Sequence, residues 1–202
     1  MTDAPVEFRA RHGGLLTMAT AAICVLAVAL TLADDVSQGV QLLPAAVIPP
    51  LVVWIFYGRP AVVVSDGGVE IRNVLRTVTL PWPAIIRVDT KYALTLETAY
   101  GTYAAWAAPA PTRAQTTQSA RTDAGHLHES TSIGGGVRPG DLTSSTSGQA
   151  AEYIRRRWHK LHEAGFLDDP RLEQTRPRER WNSTPLVGLL VIAAAVTLGW
   201  LL

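Results

Sequence analysis

The chain has 202 residues, of which 48% are hydrophobic and 17% are charged. Its formal net charge of +1 gives no indication of a nucleic-acid partner, which normally requires a strongly basic face. Its single cysteine, Cys24, excludes an intrachain disulfide, a redox thiol pair and a thiolate metal site.

The first predicted element is a transmembrane helix at residues 14–33, after a short N-terminal segment at residues 1–13. The helix segment contains no charged residue, and about 20 residues at a rise of 1.5 Å match a hydrocarbon core of about 30 Å. A cleaved signal peptide is the alternative, because Arg9 and Arg11 form a basic flank and Ala33 ends a small-residue site. We favour a retained helix, since the segment is long and a second apolar segment follows it.

A second transmembrane helix is predicted at residues 40–57, after an external turn at residues 34–39. Its three prolines are tolerated in membrane helices, where neighbouring groups bond the freed carbonyls. Trp54 and Tyr57, followed by Arg59, form the pattern of an aromatic belt with a basic anchor at the membrane interface.

Residues 58–107 change to an alternating, β-branched pattern. Short apolar segments are separated by turn residues such as Asp66-Gly67-Gly68, and Trp82 lies between two prolines at a corner. We expect six antiparallel strands in a small barrel or a bent sandwich, with Trp82 as a structural residue.

Four spaced features of this region occur in a familiar order: Arg59-Pro60, Asp66-Gly67, Asn73 to Arg76, and Pro81-Trp82. The pattern resembles the bacterial PH-like domain family typified by the low-molecular-weight protein antigen 6 of actinobacteria. The resemblance implies a PH-like antiparallel β-barrel closed by a C-terminal helix. Residues 108–147 depart from the family's compact pattern, and their Thr, Ser, Gly, Ala and Pro content predicts a disordered insertion.

The helix that would cap the barrel is predicted at residues 148–165, with Gly165 as its stop. Apolar residues recur on one face at helical spacing, and we assign them a structural role: Ala151, Ile154, Trp158 and Leu161.

Basic residues of the same helix lie mostly off this stripe: Arg155, Arg156, Arg157 and Lys160. They form either a solvated helix face or a candidate membrane-surface contact with anionic lipid headgroups.

A linker at residues 166–184 leads to a third transmembrane helix at residues 185–202. Pro185 suits the first helical position, and Trp181 and Trp200 bracket the segment as interface anchors.

The distribution of lysine and arginine predicts the orientation. The turn at residues 34–39 contains neither residue type, whereas Arg9 and Arg11 precede the first helix and the other 16 lie between Arg59 and Arg180. By the positive-inside rule we predict a multi-pass protein of the cell (inner) membrane. Its N-terminus and soluble domain are cytoplasmic, and its C-terminus is outside.

The sequence predicts no catalytic, cofactor-binding or metal-binding residue. His126, His128 and Glu129 lack a second ligand cluster at a recognised spacing, and an exposed helix face accounts for His159 and His162.

Two further site types are weakly supported. Glycines 134–136 are not followed by the Lys-Ser/Thr of a phosphate loop. The first hairpin turn, at residues 65–68, has an aspartate where a phosphoinositide site would gather cations.

We therefore interpret the chain as a membrane-anchored PH-like interaction module that docks another membrane or membrane-associated protein at the cytoplasmic face. The alternative is a sensor of anionic membrane lipid that acts through the basic helix. An enzyme is not indicated, and no cofactor, nucleic acid or small-molecule substrate is evident.

Overall fold

The structure is a computed structural model, which describes residues 4–10, 12–110, 145–167 and 176–201. The chain divides into two compact units. Met1–Ala10 and Ala61–Arg180 form the β domain, and Arg11–Pro60 and Trp181–Leu202 form the helical unit. Most of the predicted insertion at residues 108–147 lies outside the described residues.

The helices and strands follow one another in this order: β1 (Val6–Arg9), α1 (Gly13–Asp34), α2 (Val36–Val53), a π-helical turn (Trp54–Gly58), β2 (Ala61–Ser65), β3 (Gly68–Arg72), β4 (Arg76–Pro81), a 3-10 turn (Trp82–Ala84), β5 (Ile85–Asp89), β6 (Ala93–Thr98), β7 (Gly101–Pro109), α3 (Thr146–Glu163), β8 (Arg178–Trp181) and α4 (Ser183–Leu201).

In the helical unit, the connection between α1 and α2 is shorter than the turn expected at residues 34–39. The Asp35 side chain caps α2 by accepting hydrogen bonds from the backbone N–H groups of Ser37 and Gln38, at 2.8 and 3.3 Å. Gly39 lies within α2, and a Cβ atom there would come within 2.5 Å of the Leu32 side chain. The cap and this close approach let the chain reverse at Asp35.

Two stretches of the helical unit are long and apolar enough to cross a membrane, Gly13–Asp34 and Val36–Gly58. The second runs through three prolines and ends in the π-helical turn, where the Arg59 N–H donates to the Trp54 carbonyl at 2.8 Å. Helix α4 packs against α2 and contains a shorter apolar stretch, Ser183–Ala194, among the residues searched.

The β domain consists of two antiparallel sheets. One has the strand order β1-β2-β3-β4-β8, and the other has the order β5-β6-β7. Apolar side chains from both sheets form the core, with Leu80, Leu94 and Leu96 fully buried. The PH-like fold class predicted from the sequence is confirmed, except that the strands form two sheets instead of one continuously hydrogen-bonded barrel.

A side chain joins the two sheets where the ladder is interrupted. The Asn73 amide donates to the Ala104 carbonyl at 2.9 Å and accepts from the Trp106 N–H at 2.8 Å. These two backbone groups lie in the part of β7 where its register with β6 shifts. Asn73 thus replaces a missing strand pairing between the β3–β4 turn and β7.

Two strands were not expected. β1 lies in the segment predicted as the N-terminal tail, and it pairs with β2 from Val6 opposite Val64 to Arg9 opposite Ala61. β8 lies in the predicted linker at residues 166–184 and extends the first sheet beyond β4. The segments that form β1 and β8 were too short and too polar for a sequence pattern to predict strands.

Helix α3 packs on the core through Ala150, Ala151 and Ile154, which are fully buried. Ser145 caps its N-terminus by accepting from the Gly148 N–H at 3.0 Å. After its C-terminus, Gly165 adopts a φ of 72°, the left-handed conformation that favours glycine. The helix therefore begins and ends two residues before the predicted bounds.

Candidate functional site

Helix α3 covers the outer edge of β5. The Trp158 indole N–H donates to the Ile85 carbonyl at 3.2 Å, and the Arg155 guanidinium donates to the Val88 carbonyl at 3.1 Å. These carbonyls belong to a strand that ends its sheet, where unpaired backbone groups would otherwise be available to another strand. Trp158 and Arg155 therefore attach the helix to this edge and occupy part of it.

A third basic residue of α3 is bonded to the first hairpin of the β domain. The Arg157 guanidinium forms an ion pair with the Asp66 carboxylate in the β2–β3 turn, and the Arg157 side chain is only 20% exposed. The turn that seemed unsuited to binding phosphate, because it carries an aspartate, thus provides a partner for the helix.

The two remaining basic residues of the predicted surface contact are exposed. Arg156 pairs with Glu152 one helical turn away, and Lys160 lies on the exposed face of α3. The structure therefore does not bring the four cations together: two are bonded to the β domain and two face away from it.

The remaining predicted structural residues lie in or against the core. Trp82 is 3% exposed and donates its indole N–H to the Ser65 carbonyl at 3.1 Å. Leu161 and Trp158 are partly buried against the core.

The helix histidines pack against an aromatic ring. The His162 ring stacks on the Trp158 indole at 5.3 Å between centroids, and the His159 ring meets the same indole edge-on at 5.4 Å. Within the described part of the chain, no group of three or more His, Cys, Asp or Glu residues is arranged to hold a metal ion. His126, His128 and Glu129 lie outside the described residues.

The β domain exposes several large apolar side chains. Ile86 lies where the register of the β5–β6 pair shifts, Trp106 lies in the irregular part of β7, and Tyr92 lies between β5 and β6. They are 64%, 54% and 80% exposed, respectively. Large exposed apolar and aromatic side chains are the residue types that protein partners most often bury.

In the five-stranded sheet, β8 lies at the edge opposite β1, and a polar cluster attaches it there. The Glu179 carboxylate accepts from the Arg76 guanidinium at 3.2 Å. The Arg76 guanidinium also lies over the Tyr103 ring, 6.0 Å from its centroid. Burial raises the pKa of Tyr103, and the charge and hydrogen bond of Glu179 raise it further, while the nearby Arg76 opposes the shift.

The predicted membrane anchors stay predictions. Trp54 and Tyr57 are exposed on the π-helical turn, and Arg59 directly follows that turn. Trp181 is exposed but is the last residue of β8, and the side chain of Trp200 lies outside the described residues.

Sequence reasoning missed the partners of the charged residues. Asp66, Val88 and Glu179 become important only through contacts that span 91, 67 and 103 residues of the chain. One signal was present: Asn73 and Arg76 were recognised as a spaced pair of the family pattern, and each proves to hold a separate part of the domain together.

Residues 59–127 match the family model of the bacterial PH domain. The matched segment begins just before β2, includes β2 to β7 and continues beyond the described residues. Searches of curated proteins and of solved structures found no match. The resemblance deduced from the sequence is confirmed, and a PH-like domain joined to helices that could cross a membrane is consistent with a membrane-associated interaction module.

Proposed function

We propose that this chain is a three-span inner-membrane protein whose cytoplasmic PH-like domain docks another membrane or membrane-associated protein. The observation that carries the choice of a protein over a lipid surface is the engagement of the basic helix. Arg155 and Arg157 are bonded to the β domain, so half of the cation cluster required for lipid binding already serves the fold.

The pairing of β1 with β2 supports the proposed topology. β1 precedes α1, and β2 follows α2 and the π-helical turn. If α1 and α2 both cross the membrane, the chain returns to the side from which it started, and the two strands can pair there. The positive-inside rule identifies that side as the cytoplasm.

The same pairing supports retention of the first helix. Cleavage after Ala33 would remove β1, expose the edge of β2 and detach Phe8, which packs against the core. A cleaved signal peptide has no such structural role in the mature protein.

Lipid-surface sensing remains the second candidate, and its strength can be bounded. Each lysine or arginine near an anionic surface contributes about 1 kcal/mol of attraction. Of the four cations predicted to contact the surface, two, Arg156 and Lys160, are exposed in the described part of α3, and Arg156 is paired with Glu152. Adhesion by these two residues would be weak and sensitive to salt.

Photo-crosslinking in native membranes tests the choice between protein and lipid. A photoreactive side chain is introduced at Tyr92 or Trp106 of the full chain, and the adducts are analysed by mass spectrometry. We expect a discrete protein adduct that persists when Arg156→Glu and Lys160→Glu are added. This double reversal leaves the bonds of Arg155 and Arg157 intact, so it changes the exposed charge and not the attachment of α3.

Adducts formed only with anionic lipid, and lost on the double reversal, would reject protein docking in favour of lipid sensing. The matched control is Thr102 on β7, which is also exposed and whose sequence neighbours are Gly101 and the buried Tyr103, so no exposed large apolar side chain adjoins it in sequence. We expect less of the protein adduct from this position.

A further inference from the structure

The edges of the two sheets differ in how firmly they are covered. The β5 edge is occupied by Trp158 and Arg155 of α3, and the β7 edge is bonded to Asn73. β1 is held by aromatic packing, with the Phe8 ring 5.9 Å from the Tyr153 ring of α3. Among the described elements, the β4 edge is covered by β8.

β8 is the weakest of these covers. It has four residues, Arg-Glu-Arg-Trp, and all four are exposed. A strand that buries little apolar surface gains little from docking, so it belongs to the elements that open at low free-energy cost. The backbone groups of β4 that face it are therefore only lightly protected.

The β4 edge also offers a means of recognising a particular residue. The Arg76 guanidinium donates to the Glu179 carboxylate of β8 at 3.2 Å and lies over the Tyr103 ring, 6.0 Å from its centroid. Tyr103 is buried, and its ring positions the partly exposed Arg76 guanidinium, so the edge presents a cation to one position of the added strand. Such charge-assisted bonds favour a carboxylate at that position over a neutral or basic side chain.

We propose that the β4 edge is the docking site for an extended segment of the partner protein, whose acidic residue replaces Glu179, and that β8 is a resident strand displaced by it. This inference rests on the proposed protein-docking function. Strand addition supplies affinity through main-chain hydrogen bonds, and a side-chain contact at one position supplies specificity. β8 itself shows that the edge accepts an extended segment with glutamate at this position.

Peptide binding to the full chain in lipid nanodiscs tests the inference. The probe is a fluorescent peptide with the sequence of residues 176–182, RPRERWN, and its control carries lysine in place of glutamate. In the protein, Glu179→Lys removes the ion pair with Arg76 and places two cations together, so β8 should release the edge. We expect the probe to bind this variant at least about tenfold more tightly than the wild type, since 1.4 kcal/mol of lost competition gives that factor.

Two comparisons show whether the probe uses the proposed site. The control peptide should not bind, and adding Arg76→Ala to the Glu179→Lys protein should abolish binding of the probe. Arg76→Ala removes the cation without creating a new ion pair with the lysine at position 179. Equal binding to wild type and variant, or binding that survives the loss of Arg76, would overturn the inference.

Hydrogen exchange distinguishes release of β8 from unfolding. The Glu179→Lys protein should keep slow exchange at Val69 and Ile71 of β3, while β4 amides that face β8 exchange faster. If the core of this variant also exchanges fast, the charge swap Arg76→Glu with Glu179→Arg provides the test. This swap restores an ion pair between positions 76 and 179. The swapped protein should bind the lysine peptide in preference to the glutamate peptide. A swapped protein that still prefers the glutamate peptide would contradict the inference.

The crosslinking experiment separates this inference from the proposed function. Retained protein adducts at Tyr92 or Trp106, combined with failure of the peptide to bind, would reject the β4 edge and leave protein docking intact. Adducts with lipid alone would reject protein docking itself.

Discussion

Asn73 shows how one side chain can complete a small β domain. Its amide both donates to and accepts from the backbone of β7, as a neighbouring strand would do. Asparagine and glutamine carry an N–H donor and a C=O acceptor side by side in one planar amide, as a peptide group does. The shorter residue suits the tight turn in which the Asn73 N–H donates to the Arg76 carbonyl at 2.9 Å.

Replacing Asn73 should therefore destabilise the domain. We expect Asn73→Ala to lower the free energy of unfolding by about 1 to 3 kcal/mol, because two hydrogen bonds are lost and each contributes about 0.5 to 1.5 kcal/mol. Asn73→Asp is the matched control, since it keeps the acceptor for Trp106 but places a carboxylate against the Ala104 carbonyl. Chemical denaturation monitored by tryptophan fluorescence measures the difference, and wild-type stability in both variants would contradict the assigned role.

Because of Tyr103, we expect the stability of the domain near β8 to depend on pH in the alkaline range. Its pKa is raised above the ordinary 10.0 by burial and then by Glu179, so the folded state favours the neutral hydroxyl. This contribution to stability is fully present below pH 10 and is lost as the pH rises through the raised value. The difference between alkaline titrations of the wild type and Tyr103→Phe isolates this hydroxyl.

The second variant for this titration is Glu179→Gln, which removes the carboxylate charge and keeps the side-chain length. We expect the pKa of Tyr103 to move down towards its ordinary value in this variant. An unchanged pKa would show that burial alone causes the shift and that Glu179 does not contact the hydroxyl.

Among the helices and strands, the sequence predicted those elements that a local pattern of residues determines. Alternation of β-branched residues, interrupted by turn residues, indicated the strands from β2 to β7, because their inward side chains fill the core. β1 and β8 could not be found in this way. Each has four residues, and each is a strand only because a partner strand is provided by a distant part of the chain.

The candidate site was predicted less well than the fold, for a similar physical reason. Helical spacing identified the face that carries Ile154, but it could not distinguish a cation in solvent from a cation bonded to another element. Arg155 and Lys160 look equivalent in the sequence. Only the folded chain brings the Val88 carbonyl to the first and leaves the second exposed.

Removing β1 should expose an otherwise paired strand edge. Deletion of residues 4–9 takes away the ladder along β2 and the packing of Phe8 on the core. We expect faster hydrogen exchange at Ala61–Ser65 and a protein that aggregates more readily. The control is Glu7→Ala, a substitution on the exposed face of β1, which keeps the strand and should change exchange in β2 little. Equal protection of β2 with and without residues 4–9 would contradict the pairing.

For the whole molecule, each of the three predicted membrane segments is joined along the chain to a strand of one sheet. β1 leads into α1, β2 follows α2, and β8 leads into α4, and all three strands belong to the five-stranded sheet. Under the proposed topology every connection to the membrane is therefore made from a single layer of the β domain. Displacement of β8 by a partner would detach from the sheet the strand that leads into α4. The strands β1 and β2, which connect to α1 and α2, would stay in place.

The proposed topology has one requirement that follows from strand pairing as well as from the charge pattern. Because β1 and β2 are paired, residue 7 and residue 66 must lie on the same side of the membrane, and Ser37 must lie on the other side. This requirement also demands that the first helix is retained in the mature protein.

Cysteine accessibility in intact cells tests this requirement most directly. The single native cysteine is removed by Cys24→Ser, and one cysteine is introduced at Glu7, Ser37 or Asp66 of the full chain. With a reagent that cannot cross the membrane, we predict labelling at position 37 in intact cells, and labelling at positions 7 and 66 only after the membrane is opened. Labelling of position 7 or 66 from outside, or loss of position 7 from the mature protein, would contradict the account.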